Sequence, residues 1–204
     1  MKLSYGLMNF YYAAAEFLKT HAVRLIILSA LFVVACAIGI KSGCGADAVS
    51  VLQSRGSYRL LVGDDTRSVV GFLFSDLAFC LIVFLLLALS ALNFWIACLG
   101  FAVFFYVVYT MGYTLAVYFI CFKFAALPYL IVCYVPYCFI ISFSLACVIV
   151  TAMDCGMEMR RMGYFCFDSV KSRLSVFCTS GVILIVGVVY GGAVGGLLTS
   201  GLII

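Results

Sequence analysis

Long apolar passages alternate with short polar ones along this chain, and their lengths decide what they are. A helix needs roughly 20 apolar residues to cross a bilayer. Between Phe94 and Met153 two passages meet that length, FWIACLGFAVFFYVVYTMGYTLAVYFICF and FAALPYLIVCYVPYCFIISFSLACVIVTAM, hinged at Lys123, the only charge inside them. Joined by so short a turn, they predict an antiparallel membrane hairpin with spans at about 94–121 and 125–153. Three further apolar passages predict spans at 22–40, 73–92 and 174–198, with a polar connector at 41–72. The pattern is that of an all-α integral membrane helical bundle of about five transmembrane helices. No linker composition divides residues 1–204, so one transmembrane domain is expected.

Each passage carries its own local signals. Residues 1–21 place Phe10, Tyr11, Ala14, Phe17 and Leu18 at helical spacing among Glu16, Lys19 and His21, the pattern of an amphipathic interfacial helix. The 19 apolar residues that follow exceed the core of a cleaved signal, about 7–15 residues, so this span is read as retained. Within the connector, Asp47, Arg55, Arg59, Asp64, Asp65 and Arg67 accompany short amphipathic runs broken at Gly56 and Gly63. The stretch reads either as a solvated link or as a docking surface for an extracytoplasmic partner. Asp76 reads two ways as well, as an interfacial carboxylate or as a functional group inside the membrane.

The third span carries Gly100 and Gly112, where a neighbour can approach closely, and Tyr106, Tyr109, Tyr113 and Tyr118, whose hydroxyls need partners when buried. In the fourth, Pro128 suits a first turn, but Pro136 is interior and predicts a kink near Val132 to Pro136. Asp154 to Arg173 reads as a short amphipathic loop. In the fifth, Gly187, Gly191 and Gly195 recur every four residues, a ridge against which a helix of this chain or of a second copy can pack. Gly112, Pro136, Gly187, Gly191 and Gly195 are therefore the helix-packing candidates.

Composition narrows the function classes. The chain is 67% hydrophobic and 10% charged, where soluble domains carry about 25% charged residues. Its net charge of +4 forms no run, which points away from nucleic acid. With the N-terminus inside, seven Lys and Arg fall on the cytoplasmic side against five outside, and this bias predicts a cell-membrane protein with N-terminus in and C-terminus out. Eight of the eleven cysteines (Cys36, Cys80, Cys98, Cys121, Cys133, Cys138, Cys147, Cys178) fall in or beside spans and read as small packing residues. No ligand-spaced Cys/His cluster, nucleophile elbow, zinc-protease or phosphate-loop motif occurs, so no metal, no cofactor and no catalysis are expected. The acidic run GDDTRSVVGFLFSD lacks the spacing of the CDP-alcohol phosphotransferase aspartate motif.

Layout and local sequence together resemble the stage II sporulation protein M family. The likeness spans nearly the whole chain: a first span ending in ACAIGIK, the connector, LIVFLLLALSALNFW, FYVVYTMGYTLAVYF, and LIVCYVPYCFI in the fourth span. Members commonly carry glycine near the place of Met111 to Thr114 and proline at the place of Pro136. Many follow the proline with His or Gln and then Glu, where this chain has Tyr137, Cys138 and Ile141. The resemblance implies a non-enzymatic polytopic membrane scaffold or assembly protein, anchoring peptidoglycan-remodelling partners during sporulation. On that reading the connector meets an extracytoplasmic or membrane protein partner, and the glycine ridge packs within the bilayer or in a homo-oligomer. A small transporter or permease subunit is the alternative, motivated by Pro136, the third-span tyrosines and Asp76.

Overall fold

The structure is a computed structural model, and it describes residues 15–45, 66–163 and 167–202. Among these there is no strand. The helices are α1 (Ala22–Cys44), α2 (Thr66–Leu89), α3 (Phe94–Phe122), α4 (Val135–Met162), α5 (Phe167–Ser172) and α6 (Leu174–Leu202). Among the described residues four helices are long and apolar enough to cross a membrane: Ala22–Cys44, Cys98–Phe122, Leu127–Met162 and Leu174–Val194. The expected 73–92 span falls in α2, whose Leu77–Leu89 portion is a shorter apolar helix. The result is a helical membrane bundle.

Short turns with identifiable causes join the spans. After α2 a single 3₁₀ turn, Ser90–Leu92, leads to Asn93 in extended conformation, whose side chain accepts a hydrogen bond from the Trp95 N–H at 3.0 Å and so starts α3. At the hairpin tip Lys123 adopts a positive φ of 50°, the one non-glycine to do so among the described residues. A 3₁₀ turn (Lys123–Ala126), a short α segment (Leu127–Tyr129) and a π turn (Leu130–Tyr134) then feed α4. Gly163 ends α4 in the left-handed conformation (φ 74°), its N–H returning to the Met159 carbonyl at 3.0 Å.

Several boundaries correct the sequence reading. Residues 15–20 are helical and pass into α1 through helical hydrogen bonds, His21 N–H to Phe17 and Leu25 N–H to His21. They are continuous with α1 rather than a separate helix; residues 1–14, which hold most of the expected amphipathic segment, lie outside the described residues. Arg67, read as part of the polar connector, lies within the described helix α2 (Thr66–Leu89). Most of the expected loop 154–173 is helix as well, since α4 runs on to Met162 and α5 occupies Phe167–Ser172. From Leu127 the helical path covers 36 residues, about 54 Å at 1.5 Å per residue, so it exceeds the hydrocarbon and carries Asp154 to Arg161 beyond it.

Contacts fix the directions. Cys36 faces Gly112, Gly39 faces Tyr109 and Tyr113, and Gly43 faces Tyr113 and Ala116, so α1 and α3 run parallel. Gly100 meets Ile149 while Tyr118 meets Tyr129, so α3 and α4 are antiparallel. Ser144 meets Ser180 while Tyr137 meets Gly191, so α4 and α6 are antiparallel too. At the centre lies α4, with 56% of its apolar window buried against 17% for α1 at the edge. Ile141, Leu145, Val148, Ile149 and Val150 form its buried stripe. A second cluster, Val117, Tyr118, Leu130, Tyr134 and Cys138, closes the hairpin end.

Candidate functional site

Because lipid tails are as apolar as leucine, burial alone does not hold membrane helices together; close backbone approach and polar contacts do. The α1–α3 seam shows the first. A Cβ on Gly39 would lie 2.2 Å from the Tyr109 carbonyl oxygen, one on Gly43 2.8 Å from that of Tyr113, and one on Gly112 2.4 Å from that of Cys36. Glycine is required at all three because the obstructing atoms are backbone. Gly112 was a packing candidate from sequence. Gly39 and Gly43 were not, although their four-residue spacing carries the same small-xxx-small signal. Gly100 faces Leu87 and Ile149 instead, about a third of a turn from Gly112.

Around Pro136 the second kind of contact dominates. Proline has no N–H to give the carbonyl one turn before it, here that of Val132. The backbone loosens into the π turn Leu130–Tyr134, and the Tyr190 hydroxyl of α6 donates to the Val132 oxygen at 2.6 Å. Beside it the Cys133 thiol donates to the Gly191 carbonyl at 3.3 Å. From the other side the Tyr134 hydroxyl donates to the Met111 carbonyl at 2.9 Å. Gly187 lies against Ile140 and Gly191 against Tyr137, so this part of the ridge packs within the chain. The backbone of Gly195 is in α6, but its surroundings lie outside the described residues.

Six further hydroxyls are engaged internally. Thr110, Thr114, Thr151 and Thr179 donate to carbonyls of their own helices, Ser144 donates to the Ser180 carbonyl at 2.6 Å, and Ser142 contacts the Met111 sulfur at 3.6 Å. Among the described residues no buried side-chain nitrogen or oxygen lacks a partner. No disulfide joins the described cysteines, and no group of three metal-binding side chains occurs among those residues.

Charge gathers at one end of the bundle, where α1, α3 and α6 begin and α4 ends. Asp154 receives both Arg24, through a short hydrogen bond, and the His21 Nε2 at 3.3 Å, tying the edge helix to the central one. Burial is the largest influence on His21 and lowers its pKa below 6.5; Asp154 opposes this, while Arg24 and Arg173 add to the lowering. Burial therefore works against a charged ring in the His21–Asp154 contact. Arg173 donates to Glu158 at 2.6 Å, and the Arg160 guanidinium lies 5.7 Å from the centre of the Trp95 ring. Trp95 favours the interfacial depth, which marks the membrane boundary at this end.

From this end a lateral groove of about 510 Å³ runs between α1 and α4 over a floor that includes Phe104 of α3. Leu25 and Phe32 line one wall, Phe139, Ser142 and Phe143 the other. Of Tyr113, Pro136 and Ser142, which a solute path along the irregular fourth span would bring together, only Ser142 lines the groove.

Among the partner-contact candidates, Asp47, Arg55, Arg59, Asp64 and Asp65 lie outside the described residues, as do the side chains of Arg67 and Asp76. Compared with models of protein families, with curated proteins and with solved structures, the chain matches none.

Proposed function

We propose that this chain is a non-enzymatic membrane scaffold, holding a partner at the bilayer through its connector. What carries the reading is that, among the described residues, no buried side-chain nitrogen or oxygen is left without a partner inside the bundle. Hydroxyls that could line a solute path end on carbonyls or sulfur of neighbouring turns and helices. The groove that does exist opens sideways, with Val33 and Phe139 exposed at its rims, and its lining is almost wholly apolar. Such a body suits anchoring better than conduction.

On this reading the chain sits in the cell membrane with its charged end, near Arg24, Arg160 and Arg173, in the cytoplasm. Connector residues Asp47 to Arg67 and the far end of α6 then lie outside. The likeness to the stage II sporulation protein M family supports the same reading and supplies a partner class, peptidoglycan-remodelling enzymes. The alternative of a small transporter or permease subunit draws on the π turn before Pro136, since irregular helices recur at transporter binding sites.

Co-purification after crosslinking in native membranes tests the proposal. The wild-type chain should recover a defined protein partner, and replacing Asp47, Arg55, Arg59, Asp64, Asp65 and Arg67 by serine should lose it without loss of the folded bundle. A chain recovered alone, with its connector dispensable for growth and morphology, would remove the scaffold reading.

A further inference from the structure

The groove between α1 and α4 has dimensions and flanking charge that specify its occupant. The wall formed by α1 and the helical residues just before it runs from Leu18 through Leu25 to Val33, about 22 Å along the helix axis. A volume of about 510 Å³ spread over that length makes the groove about 8 Å across once the radius of a water molecule is added at each wall. A helix with its side chains is about 10–12 Å wide, so no helix of a second chain seats in it. A single alkyl chain does.

The lining says the same. Apart from Ser29 and Ser142 every lining side chain is apolar, and both hydroxyls are already engaged, Ser29 with the Leu25 carbonyl at 2.8 Å and Ser142 with the Met111 sulfur. Nothing in the groove asks for a polar ligand. Its volume falls in the roughly 300–1,000 Å³ range of small-molecule sites.

One end of the groove is charged. Lys19, His21 and Arg24 are sequence neighbours of its lining residues Leu18 and Leu25, at the end of the bundle where Asp154 of α4 meets His21 and Arg24 and where Arg173 meets Glu158. Arg24 gives one nitrogen to Asp154 but stays 30% exposed, and a guanidinium carries five N–H donors, so that bond does not exhaust it. Lys19 is exposed. Basic pockets between transmembrane helices bind anionic headgroups. We propose that this groove holds one acyl chain of an anionic phospholipid, with the phosphate of its headgroup beside Lys19 and Arg24.

The test uses the full chain reconstituted in vesicles of equal phosphatidylglycerol and phosphatidylcholine, extracted gently and weighed by native mass spectrometry. The wild type should retain phosphatidylglycerol in excess over the vesicle ratio. Ser29→Trp should fill the groove and release it, whereas Ile27→Trp, on the exposed opposite side of α1, should not. Lys19→Gln should lower the preference for phosphatidylglycerol about fivefold, the worth of one basic residue at an anionic surface. Should Ser29→Trp fail to give a monodisperse protein, a photoreactive diazirine side chain at Ser29 decides the matter by what it captures in the vesicle. Phosphatidylglycerol captured above the bulk ratio supports the proposal. Retention at the bulk ratio, indifference to Ser29→Trp in a folded protein, or capture of polypeptide at Ser29 overturns it.

Discussion

Replacing Gly112 by alanine is the sharpest test of how α1 is held. The added Cβ would sit 2.4 Å from the Cys36 carbonyl oxygen and 3.0 Å from its carbonyl carbon and Cα. Ordinary contact begins near 3.4 Å, so α1 must retreat by about 1 Å, since backbone atoms cannot rotate aside as a side chain would. A gap of 0.5–1 Å forfeits about a quarter to a half of each dispersion contact it opens, and the contacts of Gly39 and Gly43 lie on the same seam. Overpacking of this kind costs about 1–3 kcal/mol, offset by nearly 1 kcal/mol of helix propensity gained on removing glycine. The net expectation is a loss of up to about 2 kcal/mol, toward the upper end because the obstructing atoms are backbone. It would be read by titrating the reconstituted protein from mild detergent into dodecyl sulfate while following Trp95 fluorescence. Site-resolved maleimide labelling of Cys36 should quicken in parallel. Gly39→Ala should behave alike, and the double variant should cost less than the two singles together, because a seam opened once serves both. Gly45→Ala, whose nearest neighbour would be 3.8 Å away, should stay within about 0.5 kcal/mol of wild type. Wild-type stability in Gly112→Ala, or strict additivity with Gly39→Ala, would refute the steric account.

Further expectations concern the polar contacts. Tyr190→Phe strips the donor from the Val132 carbonyl and should cost about 0.5–1.5 kcal/mol; in a Pro136→Ala background, where the helix regains its own donor, the same change should cost measurably less in a double-mutant cycle. Asp154→Asn weakens two contacts at a half-buried site and should destabilise by about 1–3 kcal/mol, whereas Glu158→Gln, at a carboxylate 43% exposed, should cost under about 1 kcal/mol, both by the same titration. His21 is lowered below 6.5 in the fold, so the unfolded chain binds its proton first and stability should be full above pH 6.5 and fall as the pH drops below it. In His21→Gln that acid dependence should flatten, and an unchanged profile would mean that another group is responsible. Reporter domains fused to the two ends of the chain should appear on opposite faces of sealed vesicles.

Fold class followed from the length of the apolar runs alone. Apolar passages exceeding the bilayer thickness, such as those from Phe94 to Met153, leave the backbone no way to satisfy its hydrogen bonds except as helices. Local chemistry likewise pointed to the irregularity before Pro136 and the small-residue ridge of α6, because each is a property of a few neighbouring residues. Helix ends were less legible: α4 overran Met153 because Asp154 to Met162 can stay helical once outside the hydrocarbon, until Gly163 stops it. Only the tertiary structure decided which faces meet. The four-residue spacing of Gly39 and Gly43 marks a place for close approach, but that it receives the backbone of Tyr109 and Tyr113 depends on how α1 lies against α3. The proline at 136 announced an orphaned carbonyl and could not say that Tyr190 would serve it. Asp154 gathers Arg24 and His21 from 130 or more positions away in sequence, a pairing that no periodicity encodes. The groove belongs to the same class: its lining comes from α1, α3 and α4 and from Leu18 just before α1, which only the packed bundle brings together.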